Sequence, residues 1–267
     1  MLRESTLFGE VDKVKIALRR LRLHEPEEGY YVAFSGGKDS CVVLDLCNRA
    51  GVDYDVHYNV TTVDPPELLQ FICDNHPEAW KEKNVPEIDM WRLIPEKRMS
   101  PTRKVRYCCE YFKERGGAGR FVVTGVRHAE STKRAKRKML ETCLRHRTKR
   151  YLHPIIDWSD AEVWEYIHTY RVPYCSLYDE GFRRLGCVMC PYQGAKRMRR
   201  DAARWPNIAS KYEQAFRRMI DKRRADGYPT QWETGAEVMR WWLGEDHRLK
   251  ENDAQITLFG LRMDESS

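Results

Sequence analysis

Ala33-Phe34-Ser35-Gly36-Gly37-Lys38-Asp39-Ser40-Cys41 is the stretch whose reading decides the fold of this chain. An apolar run from Tyr31 to Phe34 breaks into two glycines, and apolar residues then return at helical spacing in Val42, Val43, Leu44 and Leu46. That pattern predicts a strand, a glycine loop and a helix N-terminus. Gly36 and Gly37 permit backbone angles and close approaches that a Cβ would block. A helix start aims unpaired N–H groups and a partial positive charge at whatever lies over the loop. Lys38 adds a full charge, and Ser35 and Ser40 add hydroxyls. The guest such a loop suits is a phosphate chain.

Outward from the loop, the chain alternates strand and helix signals. A helix is expected at 8–23 (Val11, Val14, Leu18, Leu21), strands at 30–34 and 54–59, and a helix at 39–50 closed by Gly51. Asp64-Pro65-Pro66-Glu67 opens a helix through His76, with proline where its missing N–H does no harm. Phe121 to Val126 and Tyr151 to Ile156 read as buried strands, and Asp157 to Glu162 as the N-cap region of a helix carrying Val163, Trp164 and Ile167. Such alternation predicts an α/β fold with a doubly wound, mainly parallel sheet and a ligand at the carboxyl edge of its strands. Beyond about residue 195 the pattern becomes basic, aromatic-rich helix (Trp205 to Arg224, Glu233 to Leu243). Trp232, Trp241 and Trp242 are expected as packing residues there rather than as a base-stacking platform. The linear division is an N-terminal helix at 1–28, a nucleotide domain at 29–195 and a helical extension at 196–267.

Bulk composition narrows the classes. With 267 residues and 42% apolar content, the chain can bury one large α/β core plus an appendage. No long apolar run suggests a membrane span, and nothing in MLRESTLFGE resembles a secretory leader, so the cytoplasm is the expected compartment. The net charge of +7 is concentrated. Between Ser131 and Arg150 lie Lys133, Arg134, Lys136, Arg137, Lys138, Arg145, Arg147, Lys149 and Arg150 against the single acid Glu141. This Lys133–Arg150 block suits a polyanion such as a nucleic acid, or stands as a solvated loop.

Nine cysteines without a secretory context point to metal or catalytic use rather than to a disulfide scaffold. Cys108 and Cys109 are adjacent, and Cys187-Val188-Met189-Cys190 is a C-x-x-C. Two such pairs form a metal-site pattern that spacing alone leaves open between zinc and an iron–sulfur cluster. Cys41, Cys47 and Cys73 sit in apolar helix contexts and read as core. Cys143 falls in the basic block as a candidate surface thiol.

The loop lacks the Walker spacing G-x-x-x-x-G-K-[ST]. Ser35-Gly36-Gly37-Lys38-Asp39-Ser40 instead resembles the PP-loop of ATP pyrophosphatases, which hold the β- and γ-phosphates and cleave at the α-phosphate. Over residues 29–193 the chain resembles the phosphoadenosine phosphosulfate (PAPS) reductase family. The resemblance runs through Thr61-Thr62-Val63-Asp64-Pro65-Pro66-Glu67, Tyr107-Cys108-Cys109, Gly125-Val126-Arg127 with Glu130, Ser131 and Arg134, Pro154 to Trp158, and Gly186-Cys187 to Cys190-Pro191. It implies a [4Fe–4S] cluster on Cys108, Cys109, Cys187 and Cys190, in preference to zinc. It also implies a nucleotide site lined by the loop with Arg127, Glu130, Ser131 and Arg134.

Two departures from the reductase pattern matter. The reductases act through a cysteine in a C-terminal E-C-G-[LI]-H segment, whereas no cysteine follows Cys190 here and Gln255 to Gly260 has no such motif. Reductases also tend to carry degenerate loops, and this one is intact. The leading expectation is therefore an ATP-dependent iron–sulfur enzyme that adenylates an acceptor for sulfur transfer to a nucleic acid. Lys38, Asp39 and Arg127 would be its catalytic groups and Mg²⁺ would accompany ATP. A sulfur donor or an electron-transfer protein would be the partner, with oligomeric state left open. The alternatives are a sulfonucleotide reductase, with Cys175 as a substitute nucleophile if not simply buried, and a non-catalytic nucleotide- or nucleic-acid-binding accessory subunit.

Overall fold

The computed structural model describes residues 1–6, 9–143 and 148–246. The chain forms two compact units. One comprises Met1–Val60, Pro66–Val85 and Lys113–Gly186. The other comprises Thr61–Pro65, Pro86–Phe112 and the chain from Cys187 onward.

The first unit opens with an antiparallel pair, β1 (Arg3–Thr6) and β2 (Gly9–Asp12), before α1 (Lys13–Leu23). The helix expected over 8–23 therefore starts late. Residues 9–12 are extended, and the Asp12 carboxylate caps α1 by accepting from Lys15 N at 3.0 Å. β3 (Tyr30–Phe34) leads through the glycine loop into α2 (Lys38–Ala50), which ends at Gly51 in the left-handed region, φ 66°. β4 (Tyr54–Tyr58) follows, then α3 (Pro66–Asn75) and α4 (Pro77–Lys81).

The second unit takes the next segment, with α5 (Met90–Lys97) and α6 (Tyr107–Phe112). The sequence pattern predicts neither helix. The chain then returns to the first unit for β5 (Phe121–Val123), β6 (Leu140–Thr142), β7 (Arg150–Leu152) and α7 (Asp160–Tyr170). β5 and β7 end earlier than their apolar runs suggest, because the chain turns away at Thr124 and His153 to build loops. Ser159 and Glu162 form the reciprocal cap of α7, at 3.2 and 2.7 Å.

The sheet runs β4-β3-β5-β7-β6, parallel except for the edge strand β6. Consecutive residues of β3 and β5 are buried, so both faces are covered. The chain leaves β3 toward β4 and then crosses to β5 on the other side. Hence the switch point, where open α/β sheets bind ligands, lies at the carboxyl ends of β3 and β5. The glycine loop occupies it.

The second unit continues with α8 (Ala195–Arg204), α9 (Pro206–Ala225) and α10 (Gly235–Trp242). Tyr212 packs its ring against Trp91 at 5.0 Å and Trp242 at 4.8 Å, and Trp242 Nε1 donates to Pro101 O at 2.6 Å. Trp232 and Trp242 are buried packing residues, as expected, and Trp241 is half-buried with its ring 5.2 Å from that of Trp232. No helix among the described residues is long and apolar enough to cross a membrane.

Candidate functional site

Gly36 takes φ 68°, and a Cβ there would lie 2.7 Å from Leu68 Cδ1 and 2.8 Å from Ile72. Only glycine can turn the chain from β3 into α2 this close to α3. Ser40 Oγ donates to Gly37 O at 2.8 Å and accepts from Ser35 N at 3.3 Å, so the loop is tied across its base. The first turn of α2 leaves amides without intrahelical partners. The Tyr178 hydroxyl accepts from that of Lys38 at 2.9 Å. Asp39 does not cap α2. Its carboxylate accepts from Arg127 Nε at 2.6 Å and from Lys38 Nζ at 3.3 Å.

Lys38, Asp39, Arg127 and Asp160 thus make one cluster of two cations and two anions. Lys38 Nζ lies 2.9 Å from Asp160, and Arg127 reaches Asp160 at 3.1 Å and Trp158 O at 3.2 Å. Lys38 and Arg127 are buried, whereas the Asp160 side chain is 62% exposed. Burial alone would raise the Asp160 carboxyl, but hydrogen bonds and charge from Lys38 and Arg127 hold it below the usual carboxylate range. Gly125 lets the segment after β5 pass against the backbone of Asp39, where a Cβ would meet atoms at 2.9 Å. Asp160 had no motif to announce it, because it reads as a first-turn helix acid.

Arg127 is placed as a clamp, with its donors committed to Asp39, Asp160 and Trp158. Glu130 pairs with Arg134, and Ser131 Oγ accepts from Arg134 N at 3.3 Å, one short helical turn beyond Arg127. The basic block splits. Lys133, Lys136, Lys138 and Arg150 are exposed, while Arg137 pairs with Glu141. Lys149 is buried with its ammonium on the carbonyls of Glu114 and Gly116, and burial lowers its pKa. Arg145 and Arg147 lie outside the described residues, as does Gln255 to Gly260.

The four cysteines of the two pairs all belong to the second unit, with Cys108 and Cys109 on α6 and the other two on the Cys187–Cys190 turn. Met189 holds φ 57°, and its N donates to the buried Asp201 at 2.9 Å. Val188 N donates to Val63 O at 2.8 Å, and Gln193 Nε2 to Cys187 O at 3.2 Å. The Cys108 thiol is pushed up by its hydrogen bond with Cys109, by burial, and by the nearby Cys109, Cys187 and Cys190 sulfurs. Arg106 Nη2 donates to Cys109 Sγ at 3.3 Å, which sets a positive charge beside that sulfur.

Among the described residues no group of three or more His, Cys, Asp or Glu is arranged to grip a single metal ion. A four-iron cluster takes one thiolate per iron and spreads its ligands wider than tetrahedral zinc does. Four cysteine sulfurs are the donor chemistry such a cluster takes. Cys41, Cys47 and Cys175 are buried, Cys73 and Cys143 half-buried. The Cys175 thiol is raised by burial, which disfavours the thiolate a nucleophile needs.

A parallel sheet whose switch point carries a glycine loop and helix start is a nucleotide-binding α/β fold. Residues 29–193 match the phosphoadenosine phosphosulfate reductase domain, and the chain belongs to that family. Among its relatives, an uncharacterized protein of Methanocaldococcus jannaschii is 31% identical over 202 residues, covering 72% of this chain and 42% of that protein. A second from the same organism is 29% identical, with 70% and 47% covered, so the chain spans less than half the length of these two relatives. An adenosine 5'-phosphosulfate reductase of Bacillus mycoides is 26% identical, with 70% and 84% covered. The crystal structure of a phosphoadenylyl-sulfate reductase from Candida auris, a phosphate complex, shares the fold at TM-score 0.50 and 18% identity, over 66% of this chain and 87% of that one.

Proposed function

We propose that this protein is an ATP-dependent iron–sulfur enzyme that cleaves ATP at the α-phosphate, adenylates an acceptor and supports sulfur transfer to a nucleic acid. The observation that carries the reading is the intact Ser35–Ser40 loop, with Lys38 held at the start of α2 by Asp39 and Asp160. An acceptor oxygen attacks the α-phosphorus. The bond to the bridging oxygen breaks, pyrophosphate leaves with that electron pair, and the acceptor proton passes to water. Lys38 and the amides of the loop stabilise the charge that gathers on the leaving group. Asp39 and Asp160 would hold Mg²⁺, which neutralises phosphate charge when bound. Arg127 keeps both carboxylates in place. Cys108, Cys109, Cys187 and Cys190 would hold a [4Fe–4S] cluster, which supplies electron-transfer or sulfur chemistry. The exposed Lys133, Lys136 and Lys138 would meet a phosphate backbone without reading sequence.

The test is release of pyrophosphate from γ-labelled ATP, with transfer of the label of α-labelled ATP to a nucleic-acid acceptor, by anaerobically purified protein with Lys38→Ala alongside. Loss of release in Lys38→Ala supports the reading, and undiminished release overturns it. The relatives named as adenosine 5'-phosphosulfate reductases favour a second reading, reduction of a sulfonucleotide. Sulfite released from labelled sulfonucleotide would establish that one, against the burial of Cys175.

A further inference from the structure

Thr124 follows β5 directly at the carboxyl edge of the sheet, half-buried and adjacent to Gly125, which packs on Asp39 at the start of α2. His153 follows β7 directly at the same edge and is fully buried. Thr124 Oγ1 and His153 Nδ1 are 2.7 Å apart, and Arg137 Nη2 lies 3.2 Å from His153 Nε2. A guanidinium has only donors, so Nε2 is the acceptor. The remaining proton of a neutral imidazole then sits on Nδ1 and is given to Thr124 Oγ1. That leaves the threonine's own proton to donate, with no acceptor for it among the described residues.

The groups facing the imidazole are consistent with a neutral ring. Arg137 is in hydrogen-bond range and Arg134 adds positive charge, whereas the Glu141 carboxylate, 3.8 Å from Nε2, favours the charged ring but is outweighed by burial and the Arg137 charge. Tyr151 stacks at 6.0 Å. Burial and the Arg137 charge lower the ring's pKa to about 4.

We propose that Arg137, His153 and Thr124 form a positioning relay that presents the Thr124 hydroxyl as a hydrogen-bond donor to the phosphate chain of a nucleotide on the Ser35–Ser40 loop. The inference rests on the ATP reading of that loop. It adds a specificity determinant that no motif announces, since the hydroxyl is directed by a residue that follows a different strand.

The experiment compares ATP and adenosine binding by calorimetry for wild type, Thr124→Val, Thr124→Ser and Lys38→Ala. It is joined to ¹⁵N NMR of histidine-labelled protein. The relay predicts roughly tenfold weaker ATP binding in Thr124→Val, restoration in Thr124→Ser and unchanged adenosine binding. It also predicts a His153 signal protonated on Nδ1 that does not titrate between about pH 5 and 8. Undiminished ATP binding in Thr124→Val, equal losses for ATP and adenosine, or an Nε2-protonated or titrating His153 overturns it. If Lys38→Ala loses affinity and Thr124→Val does not, the relay alone falls. If neither loses affinity, the nucleotide reading of the loop falls with it.

Discussion

Arg127 Nε donates to the Asp39 carboxylate over 2.6 Å, tying the segment after β5 to the first turn of the helix that follows β3. The hydrogen bond spans the switch point of the sheet, and the buried guanidinium continues to Trp158 O and Asp160. One side chain therefore joins three loops at the carboxyl edge.

Removing that side chain leaves Asp39 without its strongest partner. Arg127→Ala is expected to cost about 3–5 kcal/mol, the range for breaking a buried ion pair. Asp160→Asn should cost under about 1 kcal/mol, because the Asp160 side chain is 62% exposed. Urea unfolding of the two variants checks the order, and equal losses would refute the assignment of Arg127 as the clamp.

Gly36 and Gly51 share nearly the same left-handed φ, 68° and 66°, but not the same surroundings. Nothing lies within 4 Å of a Cβ at Gly51, whereas one at Gly36 strikes Leu68 and Ile72. Gly51→Ala should cost about 1 kcal/mol of backbone strain, and Gly36→Ala clearly more. Thermal melts separate them, and a smaller loss at Gly36 would contradict the close approach of α3.

His153 links stability to pH. Its folded pKa, about 4, lies below the ordinary 6.5 because burial opposes the charged ring. Between those values the unfolded chain binds more protons, so stability is fully present above about pH 6.5 and is lost as pH falls toward 4. The loss from this group reaches at most about 3 kcal/mol. The wild-type urea midpoint should fall over that window more steeply than that of His153→Gln, and parallel curves would exclude the effect.

Anaerobically purified protein should be brown, with iron and acid-labile sulfide in equal amounts, and Cys187→Ser should lose the colour. Colourless protein carrying one zinc per chain would replace the cluster with a tetrahedral site.

Charge reversal at Lys133, Lys136 and Lys138 should weaken nucleic-acid binding and flatten its salt dependence, by a slope of roughly 0.9 or less for each phosphate left without its lysine. Lys149→Met should leave that slope unchanged, because Lys149 is buried on backbone carbonyls. A slope unaffected by all three reversals would make the block a solvated surface.

Much of this was legible in the sequence because it is local. The strand, glycine loop and helix from Tyr30 to Ala50 follow from periodicity and from glycines whose angles few other residues tolerate. The cap of α7 follows from Ser159 and Glu162 three residues apart, and the family from ordered motifs over residues 29–193. The tertiary structure alone decided what depends on distant strands meeting. It brought Asp39, Arg127 and Asp160 into one ion-paired cluster, set both cysteine pairs in the second unit, and buried Lys149 out of the basic block. It also joined Thr124 to His153 across neighbouring strands. Backbone propensity fixes each element by its near neighbours, whereas side-chain partners are chosen by sheet order and burial, which no spacing in one chain encodes.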